Sequence, residues 1–148
     1  MWEWWWEIKY KKKLFALVVS GKYRNKKGIT FFTPDQATQQ FGYMKHEKGH
    51  IINPHTHRKR LTKILNTTEV ILLLKGVLRV DFYSQQTKYL FSKILKEKDI
   101  IMLVHGGHGF KVIKDVEMIE IKQGPYSLSK DKTKFDRINE KKIKIKKN

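Results

Sequence analysis

Three histidines and one glutamate of this 148-residue chain have the side chains and the spacing of a metal or catalytic site. His55 and His57 form a His-x-His pair, and alternating residues of a strand point to one face, so both imidazoles would face one cavity. Glu69 heads an apolar run, and His108 lies in a glycine-rich turn. Imidazole and carboxylate groups are common transition-metal ligands. On its own, the His-x-His pair is also compatible with two ordinary surface histidines.

The segments that would position these groups have the pattern of short strands. Most apolar runs are bounded by Gly, Asp, Asn or Lys. The predicted strands are 29–32, 41–45, 70–74, 77–83, 89–94, 100–104, 110–113 and 116–122. Lys75-Gly76 joins two of them and predicts a hairpin turn. Evenly spaced strands without helical periodicity predict an all-β sandwich or barrel with few or no long helices.

Two motifs in this region resemble those of the cupin superfamily. Gly49 followed after five residues by His55-Thr56-His57, and Glu69 followed after six residues by Gly76, match the family's first motif. The second motif is matched in part, by Asp99, Gly106 and His108, whereas Lys98 and Val104 replace its Gly and Pro. The stretch between His57 and Glu69 is longer than in the family pattern. The resemblance implies a single cupin-type jelly-roll β-barrel.

The resemblance also implies a metal site. Its ligands would be His55, His57, Glu69 and His108, and its metal a divalent transition ion such as Fe, Mn, Ni or Zn. The long stretch before Glu69 leaves open whether that carboxylate reaches the metal. His105 is a second candidate for the last histidine, although the turn places His108 nearer the start of the next strand.

Three further residues are candidates for substrate binding. Arg58 follows His57 and would lie at the mouth of the cavity, where it could hold an anionic ligand. Glu120 and Lys122 share one face of the last predicted strand and would point into a polar cavity. For each of the three, a solvated surface charge is the alternative.

Composition narrows the class of protein. The formal net charge is +18, but the excess consists of 27 Lys against 5 Arg, and arginine makes most bidentate contacts to phosphate and guanine. We therefore expect no specific nucleic-acid partner. Cysteine is absent, which excludes disulfides and cysteine ligands. No apolar run has the roughly 20 residues of a membrane span, so we expect a cytoplasmic protein without one.

The chain divides into three zones by composition. Residues 1–28 hold four tryptophans and the apolar run 14–19, and are expected to form an extension with a strand at a dimer or barrel surface. Residues 29–135 are the expected barrel, and the lysine-rich residues 136–148 the expected flexible tail. Exposed sheet edges and the tryptophan cluster together predict a homodimer.

These features favour a metal-dependent enzyme acting on a small polar metabolite. Gln123-Gly124-Pro125-Tyr126, followed by Asp131-Lys132 and Phe135, resembles small stand-alone cupins, some of which occur with cell-surface sugar pathways. One alternative is a non-catalytic protein that binds a small molecule. Another is a metal-free sugar isomerase or epimerase, with a histidine as base and Tyr83 or Tyr126 as acid.

Overall fold

The protein is built from β-strands, as the sequence predicts. A computed structural model describes residues 4–127 and 129–147. Its strands are β1 (Trp5–Tyr10), β2 (Lys13–Val19), β3 (Gly28–Phe31), β4 (Gly42–Lys45), β5 (Glu69–Tyr83), β6 (Tyr89–Lys96), β7 (Ile100–Leu103) and β8 (Gly107–Lys122). Within the described ranges the one helical element is a 3-10 turn at Glu140–Lys142. The expected all-β class, with few or no long helices, is confirmed.

The chain forms two compact units. Unit 1 comprises residues 1–23 and 67–148, and unit 2 comprises residues 24–66. Unit 2 contains the antiparallel pair β3–β4, followed by a stretch from 46 to 66 that forms no strand. Unit 1 contains the other six strands in one sheet, which is strongly curled in the manner of half a barrel.

The N-terminal strand β2 is an internal strand of the large sheet. Its strand order is β1-β2-β7-β5-β6, and β8 pairs with the remaining edge of β5. The apolar run 14–19 lies in β2, which pairs with β7 of the same chain, where Leu17 lies opposite Met102. This segment therefore supplies an internal strand of its own sheet. The homodimer stays a prediction.

The core of unit 1 follows from alternation along the strands. In the second half of β5, Leu78, Val80 and Phe82 are fully buried on one face. In the first half, Ile71 and Leu73 join the same core. The buried faces therefore change parity between residues 73 and 78, which requires an irregularity in the middle of the strand.

That irregularity is a bend at Gly76, and the hairpin predicted there is wrong. β5 continues through Lys75 and Gly76 and stays paired with β8, although the register shifts three times between Leu73 and Leu78. Gly76 has φ +91, and a Cβ atom there would overlap the carbonyl oxygen of Asp115 on β8. A positive φ and a close backbone approach both favour glycine, so the chain bends here without reversing direction.

The strands that pair with β5 on its other edge are interrupted by a turn at the level of Gly76. β6 and β7 pair with successive halves of β5, and a short turn at residues 97–99 separates them. Asp99 holds this turn, since its carboxylate accepts hydrogen bonds from the Lys96 amide at 2.9 Å and the Gly21 amide at 3.1 Å. One buried aspartate therefore joins the bend to the end of β2.

The C-terminal residues lie against the sheet. Arg79, which is 6% exposed, donates two hydrogen bonds to Asp81 and two to Glu140, at 2.7 to 3.1 Å. Arg79, together with Lys111, lowers the pKa of Glu140 from 4.5 to about 2. Ile145 forms a parallel bridge with Ser92 on β6. Glu140 and residues 144–147 of the expected tail therefore contact the sheet, and the flexibility of the tail stays a prediction.

We predict that Gly76→Ala destabilises the protein by about 3 kcal/mol. A non-glycine residue at positive φ costs about 1–2 kcal/mol, and overpacking against Asp115 adds about 1–3 kcal/mol. Urea denaturation followed by far-UV circular dichroism measures the change. Gly49→Ala is the control, because Gly49 has φ +85 but a Cβ atom there would meet nothing within 4 Å. Equal losses for both variants would contradict the role of the close approach.

Candidate functional site

The curl of the sheet brings two predicted site residues into contact. Glu69 is the first residue of β5, and His108 lies opposite Phe82, near the other end of the same strand. In a flat sheet these positions would lie far apart, because a strand rises about 3.3 Å per residue. Here His108 Nε2 lies 2.8 Å from Glu69 Oε2. The bend of β5 therefore brings the carboxylate at its first residue to an imidazole of β8 that pairs near its other end.

Glu69 is buried among positive charges. The residue is 6% exposed, and its Oε1 atom lies 3.7 Å from Lys132 Nζ and 3.9 Å from Lys122 Nζ. The other oxygen, Oε2, faces His108, but it is buried and accepts no hydrogen bond of good angular geometry from the described residues. The short distance identifies a close contact between the two groups, while Oε2 keeps capacity to accept a further hydrogen bond.

The pKa of the Glu69 carboxyl is lowered from its ordinary value of 4.5. The largest cause is the contact with His108; burial opposes it, and the charges of His108, Lys132 and Lys122 reinforce it. Glu69 therefore stays ionised at neutral pH although it is buried. Its contribution to stability is complete above the unfolded pKa and declines as the pH falls through the lowered folded value.

The pair lies in a cleft of about 450 Å³. Its walls are Thr67 and Glu69, the glycine-rich residues 106–109 where β8 begins, Tyr83, and the segment 131–135 together with Arg137. Gly106 allows the turn to pass close to β2 and β5, since it has φ +75 and a Cβ atom there would overlap the Phe15 ring. A volume of this size is within the range of small-molecule sites.

The structure separates the two candidate histidines of the second motif. His108 contacts Glu69 and lines the cleft. The His105 ring packs edge-on against Phe15, with centroids 5.3 Å apart, and is not among the cleft-lining residues. Of the two, His108 is the one that the fold brings to the carboxylate.

The first-motif histidines lie in unit 2. His55, His57 and Arg58 are exposed residues of the strandless stretch 46–66, so no strand places the two imidazoles on one face. The imidazoles still lie close together, with ring centroids 5.3 Å apart and planes at 78°. His55 Nδ1 lies 2.9 Å from the carbonyl oxygen of Asn53.

The expected metal ligands are divided between the units, with two in each. Among the described residues, no group of three or more His, Asp or Glu side chains is arranged to hold a metal ion. Glu69 and His108 provide two donors, whereas catalytic zinc sites have three protein ligands. Glu69 and His108 alone therefore do not complete such a metal centre, and the predicted metal stays a prediction.

The predicted substrate-binding residues on β8 have different surroundings. Lys122 is mostly buried and donates a hydrogen bond to Asp131 at 2.6 Å, which raises the pKa of the lysine. Its Nζ also lies 5.0 Å from the centroid of the Tyr126 ring. Glu120 is exposed and does not line the cleft. Lys122 therefore supports the wall that carries Asp131, beside the carboxylate of Glu69.

The segment after β8 supplies cleft residues that the sequence patterns did not identify as binding groups. Lys132 and Lys134 alternate along it, and Arg137 follows. Phe135 packs on Tyr83 with ring centroids 5.0 Å apart, which seats the segment over the cleft. The alternation of Lys132 and Lys134 ahead of an aromatic residue is the signal that could have indicated a wall with cations on one side.

Comparisons with family models, curated proteins and solved structures gave no match to this chain. The resemblance to the cupin superfamily therefore stays a prediction from its motifs. In the described part of the chain, no helix is long and apolar enough to cross a membrane.

We predict that His108→Gln raises the pKa of Glu69. The variant replaces the imidazole with a neutral amide, so the charge of His108 is lost and its contact with the carboxylate is weakened, while the opposing effect of burial remains. Carbon-detected NMR titration of the glutamate carboxyl groups measures the change. His105→Gln is the matched control and should leave the pKa of Glu69 unchanged, because His105 packs on Phe15. An unchanged pKa in His108→Gln would show that the two side chains do not interact in solution.

Proposed function

We propose that the cleft binds a small polar molecule and moves a proton on it, as in an isomerase or epimerase. The observation that carries the proposal is the 2.8 Å contact between His108 Nε2 and the buried carboxylate of Glu69. A carboxylate beside an imidazole fixes its orientation and stabilises the imidazolium that forms when the ring accepts a proton. This arrangement is typical of a general base.

Proton transfer in this site would use the tautomer of His108 that carries its proton on Nε2, beside Glu69. When Nε2 carries its proton toward Glu69, the Nδ1 atom of the neutral ring is unprotonated and can accept a proton. A substrate C–H next to a carbonyl group would give its proton to Nδ1, and its bonding electrons would move to the carbonyl oxygen. Protonation of the same carbon on its opposite face completes an epimerisation. Protonation of the former carbonyl carbon, with loss of the proton of the neighbouring hydroxyl to form the new carbonyl group, completes an isomerisation.

Tyr83 supports the same chemistry as an acid. It lines the cleft, and its phenol oxygen accepts a hydrogen bond from the Ile138 amide at 3.1 Å. Because that oxygen is already an acceptor, its own proton is available for a substrate oxygen. The developing enolate would therefore receive a proton from Tyr83 while His108 holds the proton taken from carbon.

A metal-dependent enzyme is the second candidate function. It is favoured by the His55–His57 pair of unit 2, whose ring centroids lie 5.3 Å apart. A divalent metal, when bound, would supply a Lewis acid for a carbonyl oxygen.

For the first candidate, we predict that the protein catalyses exchange of a carbon-bound proton with solvent. A panel of aldoses, ketoses and sugar phosphates is incubated in D₂O, and loss of C–H signals is followed by proton NMR. His108→Gln should reduce the exchange rate by about 10³-fold and Glu69→Gln by about 10²-fold, within the range for general-base catalysis. His105→Gln is the control and should retain the wild-type rate.

Two outcomes would contradict proton transfer. Exchange that persists in His108→Gln would show that another group is the base. Saturable binding of a panel member without any exchange would identify a non-catalytic binding protein.

For the second candidate, we predict about one divalent transition metal per chain by elemental analysis of protein purified without chelators. His55→Ala combined with His57→Ala should abolish the metal content, because both imidazoles belong to the predicted ligand set. Arg58→Ala is the control in the same stretch. If neither the purified protein nor protein incubated with Fe, Mn, Ni or Zn retains metal, the metal-dependent function is wrong.

A further inference from the structure

The cleft combines a neutralised interior with a basic rim. Its two acidic side chains each have cationic partners: Glu69 contacts His108 and Lys132, and Asp131 accepts a hydrogen bond from Lys122 at 2.6 Å. The acids therefore leave little net negative charge to attract a cation. Three basic side chains, Lys132, Lys134 and Arg137, line the same cleft on the segment that follows β8.

Two of these basic groups keep capacity for a ligand. Lys134 is exposed and has no acidic partner within the described chain. The Arg137 side chain is 78% exposed and makes one contact with Glu140, at 3.2 Å, although a guanidinium carries five N–H donors. By contrast, Lys111 and Lys122 are each committed to a carboxylate.

The exposed cations and the buried Glu69 carboxylate suit different parts of a ligand. An anion placed directly at the buried carboxylate of Glu69 would be repelled, because like charges disfavour each other at short range. An anion at the exposed rim would instead meet Lys134 and Arg137. Both side chains can donate charge-assisted hydrogen bonds to phosphate and carboxylate groups. The cleft therefore combines exposed cations that can hold an anion with a buried pair that can transfer a proton.

We propose that the molecule bound in this cleft carries a phosphate or carboxylate group, which Lys134 and Arg137 hold at the rim. Its uncharged part extends to the Glu69–His108 pair. This inference rests on the proposed proton-transfer function for the role of the inner end, but the anion site can be tested without turnover.

The test is a titration of the full-length, ¹⁵N-labelled protein with inorganic pyrophosphate, and separately with succinate, at constant ionic strength. Saturable shifts are expected for the amides of residues 106–109 and 131–137. Lys134→Gln combined with Arg137→Gln should weaken binding by about tenfold or more, since charge-assisted hydrogen bonds are lost. Lys134→Gln alone should weaken it severalfold, and it leaves the Arg137–Glu140 contact intact.

The matched control is Lys141→Gln combined with Lys142→Gln. These two lysines are exposed, lie on the 3-10 turn and do not line the cleft, and the change in net charge is the same. The control should bind within twofold of the wild-type protein. Preference for pyrophosphate over succinate would identify a phosphorylated ligand, and the reverse preference a carboxylic acid.

Equal weakening in the control and cleft variants would overturn the proposal, because it would reduce the effect to the general positive charge of the chain. Absence of saturable binding with both probes would also overturn it. If anion binding fails while uncharged sugars still exchange protons, the proton-transfer function stands alone. If anion binding holds while no panel member exchanges, the rim site stands and the proton-transfer function fails.

Discussion

The bend of β5 at Gly76 is the constraint on which the rest of unit 1 depends. A straight strand of fifteen residues would hold its two ends far apart, and the buried face would follow one parity throughout. The bend changes that parity, so that Leu73 and Leu78 both reach the core. The bend also curls the sheet. Because of this curl, Glu69 at the start of β5 can contact His108 of β8, which pairs with Phe82 near the end of β5.

The site exploits this closure electrostatically. Burying the carboxylate of Glu69 would be costly without compensation, since burial disfavours the charged form. The contact with His108 and the nearby ammonium groups of Lys122 and Lys132 offset that cost, so the carboxylate remains ionised inside the cleft. A group that is both buried and charged can polarise an imidazole more strongly than a solvated one, because the surrounding dielectric is lower. The interactions that stabilise the site are therefore the same ones that fit it for proton transfer.

The C-terminal segment connects this site to the outer side of the sheet. Residues 131–137 form one wall of the cleft, and the residues that follow are held by Arg79 through Glu140. Arg79 in turn donates a hydrogen bond to Asp81, which lies two residues further along β5 on the same face. Removing one partner of such a buried group leaves the other uncompensated, so the position of the cleft wall and the buried charges of β5 are coupled.

The sequence alone predicts the all-β class, most strand positions and the residue types of the candidate site, because alternation, turn residues and histidine spacing are local properties. Glu69 and His108 were identifiable from their motifs, and Lys122 from its strand face. The sequence did not reveal that β5 continues through Gly76, because a glycine between two apolar runs also fits a hairpin turn. The pairing of β5 with β8 on both sides of Gly76 decides between the two. The sequence already favoured His108 over His105, because His108 lies nearer the start of the next strand, and the structure adds its contact with Glu69. The placement of Lys134 and Arg137 in the cleft and the contacts of the lysine-rich residues with the sheet depended on tertiary structure. Each is decided by contacts between residues distant in the chain, and such contacts leave no periodic trace in the sequence.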